Sequence, residues 1–156
     1  MSEAQAGYSG TPLVRKVGVK AGHQVVLCAA PDGWAIPDLP AGTTTTTIAE
    51  PPPAPAAAAA SAASASAAAV MQVDVVVAFC RTPVDLRVAV EGFADAIHPA
   101  GALWIAWPRR AAGHRSDITE NLIREVALPV GLVDVKVAAL DTDWSGLKLV
   151  WRKEMR

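Results

Sequence analysis

The side chains best equipped for chemistry in this 156-residue chain collect just after its apolar runs. Trp107, Arg109 and Arg110 follow the run 101–106. Arg81 follows the run that ends at Cys80, and Asp32 follows the one that ends at Ala30. Guanidinium groups beside an indole can hold an anionic or planar ligand, by forked hydrogen bonds and by stacking. The same residues also have a plainer use, with Trp107 packed in a core and the arginines solvated. No catalytic set accompanies them. The histidines at 23, 98 and 114 have neither paired metal spacing nor a cysteine partner, which argues against a metal site. Ser9 and Ser145 sit in small-residue turns but in no G-x-S-x-G sequence, so a serine hydrolase has no support. Cys28 and Cys80 lie inside apolar runs and read as buried, reduced core thiols. Trp144, within the Asp-, Ser- and Gly-bearing stretch 141–146, reads as a turn residue able to face a partner.

The elements that would position these residues are marked by patterning. Ser9-Gly10-Thr11-Pro12 starts a helix, with a hydroxyl cap and a proline suited to the first turn. Leu13, Val14 and Val17 form its apolar side, and Gly18 stops it. Residues 24–30, QVVLCAA, form a near-continuous apolar run, as expected of a strand covered on both faces. Pro31-Asp32-Gly33 closes that strand, and a Pro-rich loop follows to Gly42. The β-branched stretch 44–48 is fit for a short edge strand. Residues 73–80, VDVVVAFC, are a second buried strand. Thr82 caps the next helix with Pro83 at its first position, and Leu86, Val90, Phe93, Ala94 and Ile97 fall on one face. GALWIAWP at 101–108 is short, apolar and bounded by Gly and Pro, the pattern of a central strand.

After a basic loop, Asp117-Ile118-Thr119-Glu120 resembles a capping box with Asp117 at the cap. Ile118, Leu122 and Val126 form the expected buried stripe. Glu120 and Arg124 make an i,i+4 pair on the other side. Pro129 and Gly131 end this helix. Alternation at 133–137 and again at 147–152, with a six-residue link at 141–146, predicts an antiparallel hairpin. The sum is an α/β fold: a Rossmann-like, three-layer mixed sheet with a parallel centre and a C-terminal antiparallel hairpin. One domain spans 1–156, carrying a low-complexity Thr/Pro/Ala/Ser insert at 43–69. Its Ala/Ser part is a loosely held helix or a flexible linker, with little apolar area to dock.

Composition bounds the function. A net charge of −1 and a pI near 6.3 argue against a general nucleic-acid binder, which would carry a basic footprint. The start MSEAQAGYSG lacks the basic and apolar regions of a secretory signal. No run is long and apolar enough for a bilayer span, so no membrane partner is expected. A cytoplasmic location is the expectation.

The segment His98-Pro99-Ala100-Gly101-Ala102-Leu103-Trp104-Ile105 resembles the entry to the fifth strand of S-adenosylmethionine-dependent methyltransferases, and the closing hairpin is similar to theirs. More specifically, the blocks GYSGTPL, APDGW, GALWIAWP and REVALPVGLVDVKVAALDTDWSGLKLV resemble, in this order, a small bacterial domain-of-unknown-function family. The resemblance covers most of the chain outside the Thr/Pro/Ala tract. The methyltransferase resemblance implies a Gly-rich turn after the first strand and an acidic residue after the second, for the cofactor. Here the turn Ala29-Ala30-Pro31-Asp32-Gly33 holds one glycine and a proline without an N–H. Glu50 stands near the acidic position but precedes three prolines, and the amino-methylating signature is absent after Cys80. No cofactor and no catalytic residue are therefore expected. The expected function is a non-catalytic, Rossmann-like module for a small anionic or planar ligand or a protein partner. The ligand would lie at Asp32, Arg81, Trp107, Arg109 and Arg110, since open α/β sheets bind outside their strands' carboxyl ends. An atypical methyltransferase-like enzyme is the alternative.

Overall fold

The computed structural model describes residues 12–51, 73–109 and 116–156. Its centre is one six-stranded sheet: β1 (Gln24–Cys28), β2 (Thr44–Ile48), β3 (Val75–Phe79), β4 (Ala102–Pro108), β5 (Leu132–Ala139) and β6 (Trp144–Trp151), in the order β2-β1-β3-β4-β6-β5. The strands β2, β1, β3 and β4 run parallel, β6 pairs antiparallel with β4, and β5 with β6. The mixed Rossmann-like sheet expected from the patterning is therefore present, hairpin included. Among the described residues, no helix is long and apolar enough to cross a membrane.

The strand β4 divides the core. Side chains alternate across a strand, so Leu103, Ile105 and Trp107 enter one apolar cluster and Trp104 and Ala106 the other. The first cluster is closed by α2 (Pro83–Phe93) and α3 (Glu120–Val130). The second is closed by the five-residue α1 (Leu13–Val17) and, in place of a helix, by Trp34, Ile36 and Leu39 of the loop after β1. Trp104 is fully buried there, and its indole N–H donates to Val17 O at 3.0 Å. That bond removes the cost of burying an indole donor and ties α1 to the central strand.

Local chemistry explains the helices. Thr82 accepts from Asp85 N, and Asp85 Oδ2 accepts from Thr82 N, a reciprocal box that starts α2 with Pro83 at its first position. The expected stripe Leu86, Val90, Phe93, Ala94 and Ile97 is buried throughout. At α3 the expectation needs correction. The cap is Thr119, whose hydroxyl accepts from Leu122 N at 3.1 Å, and not Asp117. Leu122 takes the third helical position, so no carboxylate reaches back to complete a box. With the start moved, the buried stripe is Ile123 and Ala127, while Leu122 and Val126 are only partly covered. Ile118, just before the cap, is buried in the same cluster as Ile123, the pairing of a hydrophobic staple. Pro129 lies inside the last turn of α3, and Gly131, at φ 115, forms the left-handed cap.

The hairpin also differs in detail. Trp144, Ser145 and Gly146 belong to β6 and not to the turn, because Trp144 pairs with Pro108 of β4 and Ser145 with Trp107. The strand β5 carries a bulge between Asp134 and Lys136, and Val135 and Val137 are 54% and 47% exposed at this sheet edge. A bulge is a common way to blunt an edge against pairing.

Candidate ligand cleft at the switch point

The chain leaves β1 toward β2 on one side and returns through β3 on the other. Such a reversal opens a crevice at the carboxyl ends of the strands. A cleft of 280 Å³ occupies that place, lined among others by Cys28 and Glu50 from the ends of β1 and β2, by Cys80 and Arg81 beyond β3, and by Asp85 and Val88 of α2. The turn that frames it is tight. Ala29 adopts φ 57, its N–H donates to Ile48 O at 2.8 Å, and its carbonyl accepts from Arg81 Nη1 at 3.3 Å.

Polarity in the cleft is uneven. The carboxylate of Asp85 accepts from the backbone N–H of Arg81 and of Thr82, so the start of α2 already holds an anion. Glu50 is exposed and makes no hydrogen bond among the described residues. The thiols lie deeper and are buried. Burial, then the charges of Asp85 and Glu50, pushes the Cys28 thiol up to about 11. Burial first, then Asp85 and Cys28, raises Cys80 further, against a small opposing effect of Arg81. Both are held as neutral thiols and are poor nucleophiles near neutral pH.

Arg81 joins the cleft to an aromatic group on the opposite face of the sheet. Its guanidinium carbon lies 5.1 Å from the Trp144 ring centroid. Trp144 and Trp34 each meet Phe79 edge to face, at 4.9 and 4.8 Å between centroids. Asp141 holds this group: Oδ2 accepts from Trp34 Nε1, and Oδ1 from the N–H groups of Asp143 and Trp144, each at 2.8 Å. Trp144 is thus a packed strand residue rather than a turn residue offered to a partner.

Of the residues singled out from the sequence, Arg81 lines the cleft. Asp32 is exposed in the turn after β1. Trp107 is buried in the cluster beneath α2 and α3. Arg109 clasps the hairpin turn, donating from Nη1 to Asp141 O at 3.2 Å and to Thr142 O at 3.4 Å, while its backbone N–H reaches Asp143 O. Arg110 and His114 lie outside the described residues. From the sequence, Asp85 was not placed at the site, and Cys80 was placed at the rim only as the strand end beside Arg81. Asp85 was legible as the third residue of a Thr-Pro helix start, and the Cys80 thiol as a buried core group, which it is. Among the described residues, no group of three His, Cys, Asp or Glu side chains is placed to hold a metal ion.

No family model and no curated protein sequence matches the chain. Among solved structures it is similar to the fibrillarin pre-rRNA processing protein of Methanococcus jannaschii, with a TM-score of 0.57 and 15% identity over 93% of this chain and 70% of that one. At that identity the likeness concerns the mixed α/β fold alone.

Proposed function

We propose that this chain is a ligand-binding Rossmann-like module that receives a small molecule in the switch-point cleft, with no methyl transfer. The observation that carries the reading is the convergence of Arg81 and Glu50, from different strand ends, on one cleft. An anionic group of the ligand would face Arg81, and a hydroxyl or amine would face Glu50. Asp32 and Arg109 would act at the outer rim. The same proposal places the protein in the cytoplasm and beside the small bacterial family whose blocks it resembles.

The fold branch implies S-adenosylmethionine, and the residues do not fit it. The framing turn spends the Ala29 N–H on Ile48 O and the Trp34 N–H on Pro31 O, and Pro31 has no N–H to give. The described chain between β1 and β2 contains no helix, so no helix N-terminus faces that turn. Glu50 alone keeps the expected acidic place. No step is routed through that cofactor.

A thermal-shift panel of metabolites, with S-adenosylmethionine included, tests the proposal. The expected result is a shift with a small acidic ligand that is lost in both Arg81→Gln and Glu50→Gln, and no shift with S-adenosylmethionine. Micromolar calorimetric binding of S-adenosylmethionine, abolished by Glu50→Ala, overturns the proposal in favour of the methyltransferase-like alternative.

A further inference from the structure

On the sheet face opposite α2 and α3, the hairpin places like charges side by side. Lys136 of β5 stands directly across from Lys148 of β6 in the antiparallel register. Like charges in that relation repel, and strands avoid it. The charges acting on Lys148 are those of Lys136 and Lys20, with no opposing carboxylate among the described residues, and Lys136 and Arg109 act in the same direction on Lys16. Burial, aided by this repulsion, holds both ammonium groups below the ordinary lysine range.

Part of the cluster has a structural use. Lys136 Nζ donates to Lys16 O at 3.3 Å, and Lys16 Nζ donates to Ala139 O at 2.9 Å. Cations suit the carbonyl end of a helix, and α1 ends here. Lys136 meets that need at Lys16 O, and neither Lys148 nor Lys20 is called on for the neighbouring carbonyls. Val17 O accepts from Trp104, and Val14 O accepts from the N–H groups of Gly18 and Val19. Lys148 Nζ lies only 3.6 Å from where a side chain on Gly18 would begin, yet its ammonium makes no hydrogen bond among the described residues. Lys20, exposed on the turn after α1, is in the same position. A local rule broken without a visible structural gain is where function is to be sought.

We propose that Lys20, Lys136 and Lys148 form a second site, separate from the switch-point cleft, that binds a multiply charged phosphate anion. Ammonium groups act as compact point charges with donors that rotate freely, which suits a phosphate chain better than the planar carboxylate favoured by arginine forks. Bound there, the anion would neutralise the cross-strand repulsion and fasten the end of α1 to the hairpin. The site does not depend on the reading of the cleft.

Calorimetry with inorganic tripolyphosphate at constant ionic strength is the test, using the full chain, Lys148→Gln, Lys20→Gln and the distant control Arg87→Gln. The wild type should bind saturably, with one anion per chain. Lys148→Gln and Lys20→Gln should each weaken binding about tenfold, the loss of one charged hydrogen bond, and Arg87→Gln should leave it unchanged. Without the anion, Lys148→Gln should melt no lower than wild type, because it relieves repulsion. Absence of saturable binding, or equal weakening in Arg87→Gln, overturns the site. Because Lys20 is exposed, its variant keeps the test decisive even if Lys148→Gln folds poorly. A loss in Arg81→Gln of equal size would assign the binding to the cleft instead.

Discussion

Cys28 and Cys80 are neighbours that cannot be partners. Cys28 pairs with Ala78, which puts Cys80 on the diagonal, a Cα separation of about 7–8 Å. Disulfides rarely bridge more than about 6.8 Å, and both thiols are free. Their burial makes them reporters of the folded state. An aromatic disulfide reagent at pH 8 should leave both unlabelled in the native protein and label both after unfolding; rapid native labelling would contradict the burial. The linkage has a definite sign. In the unfolded chain the Cys28 thiol ionises near 9.0, and in the fold only near about 11. Its stabilising contribution is therefore complete below pH 9 and lost as the pH rises toward 11. The melting temperature should fall across that window, and less steeply in Cys28→Val. Lys16 and Lys148, held below 10.5, act in the opposite direction in both proteins, so the difference between the two curves isolates the thiol.

Among the elements, β4 and α3 show how differently local signals survive folding. The strand β4 is bounded by residues that leave no choice. A Cβ at Gly101 would lie 2.6 Å from Val73 O and 2.9 Å from Ile97 O, so the chain can enter the sheet there only with a glycine. The helix α3 had two possible starts three residues wide, Asp117 with Glu120 or Thr119 with Leu122. The burial of Ile118 beside Ile123 selected the second, since the staple places both in the core and an earlier start would turn Ile123 away. Thr119→Ala should cost about 1 kcal/mol of stability, the usual worth of such a cap. Asp117→Ala should cost under about 0.5 kcal/mol, as expected of an exposed residue outside the cap. Urea denaturation of the two variants separates the alternatives, and a larger loss at Asp117 would restore the first.

At the scale of the whole molecule, the chain must carry β2 back to β3. The strands lie on either side of β1 and run parallel. The link must therefore return by one strand length and cross two strand spacings, a distance of about 20 Å. A flexible chain of about 15 Gly and Ser residues has that r.m.s. span. Replacing residues 52–69 with such a linker should change stability by well under about 1 kcal/mol, because loop-closure cost grows only with the logarithm of length. A fall in melting temperature of more than several degrees would show that the Ala/Ser tract is packed structure.

The amino-acid sequence alone was enough to place the strands apart from the start of β6, the parallel centre with its hairpin, and the Thr82 cap. Each of these depends on periodicity or on a residue's effect on its immediate neighbours, and both are local. Tertiary structure alone decided three things. It decided which end of the Asp117–Thr119 pair starts α3, since that depended on what the helix met. It decided that Arg109 clasps the hairpin while Arg81 reaches the cleft, although both follow a parallel strand. It decided that Lys136 stands across from Lys148. In those cases the partners are brought together by strand order: Arg109 binds Asp141 and Thr142 across β4 and β6, and Lys136 faces Lys148 across the hairpin. No periodicity along the chain records such a meeting, because the register that creates it is set by the packing of the whole sheet.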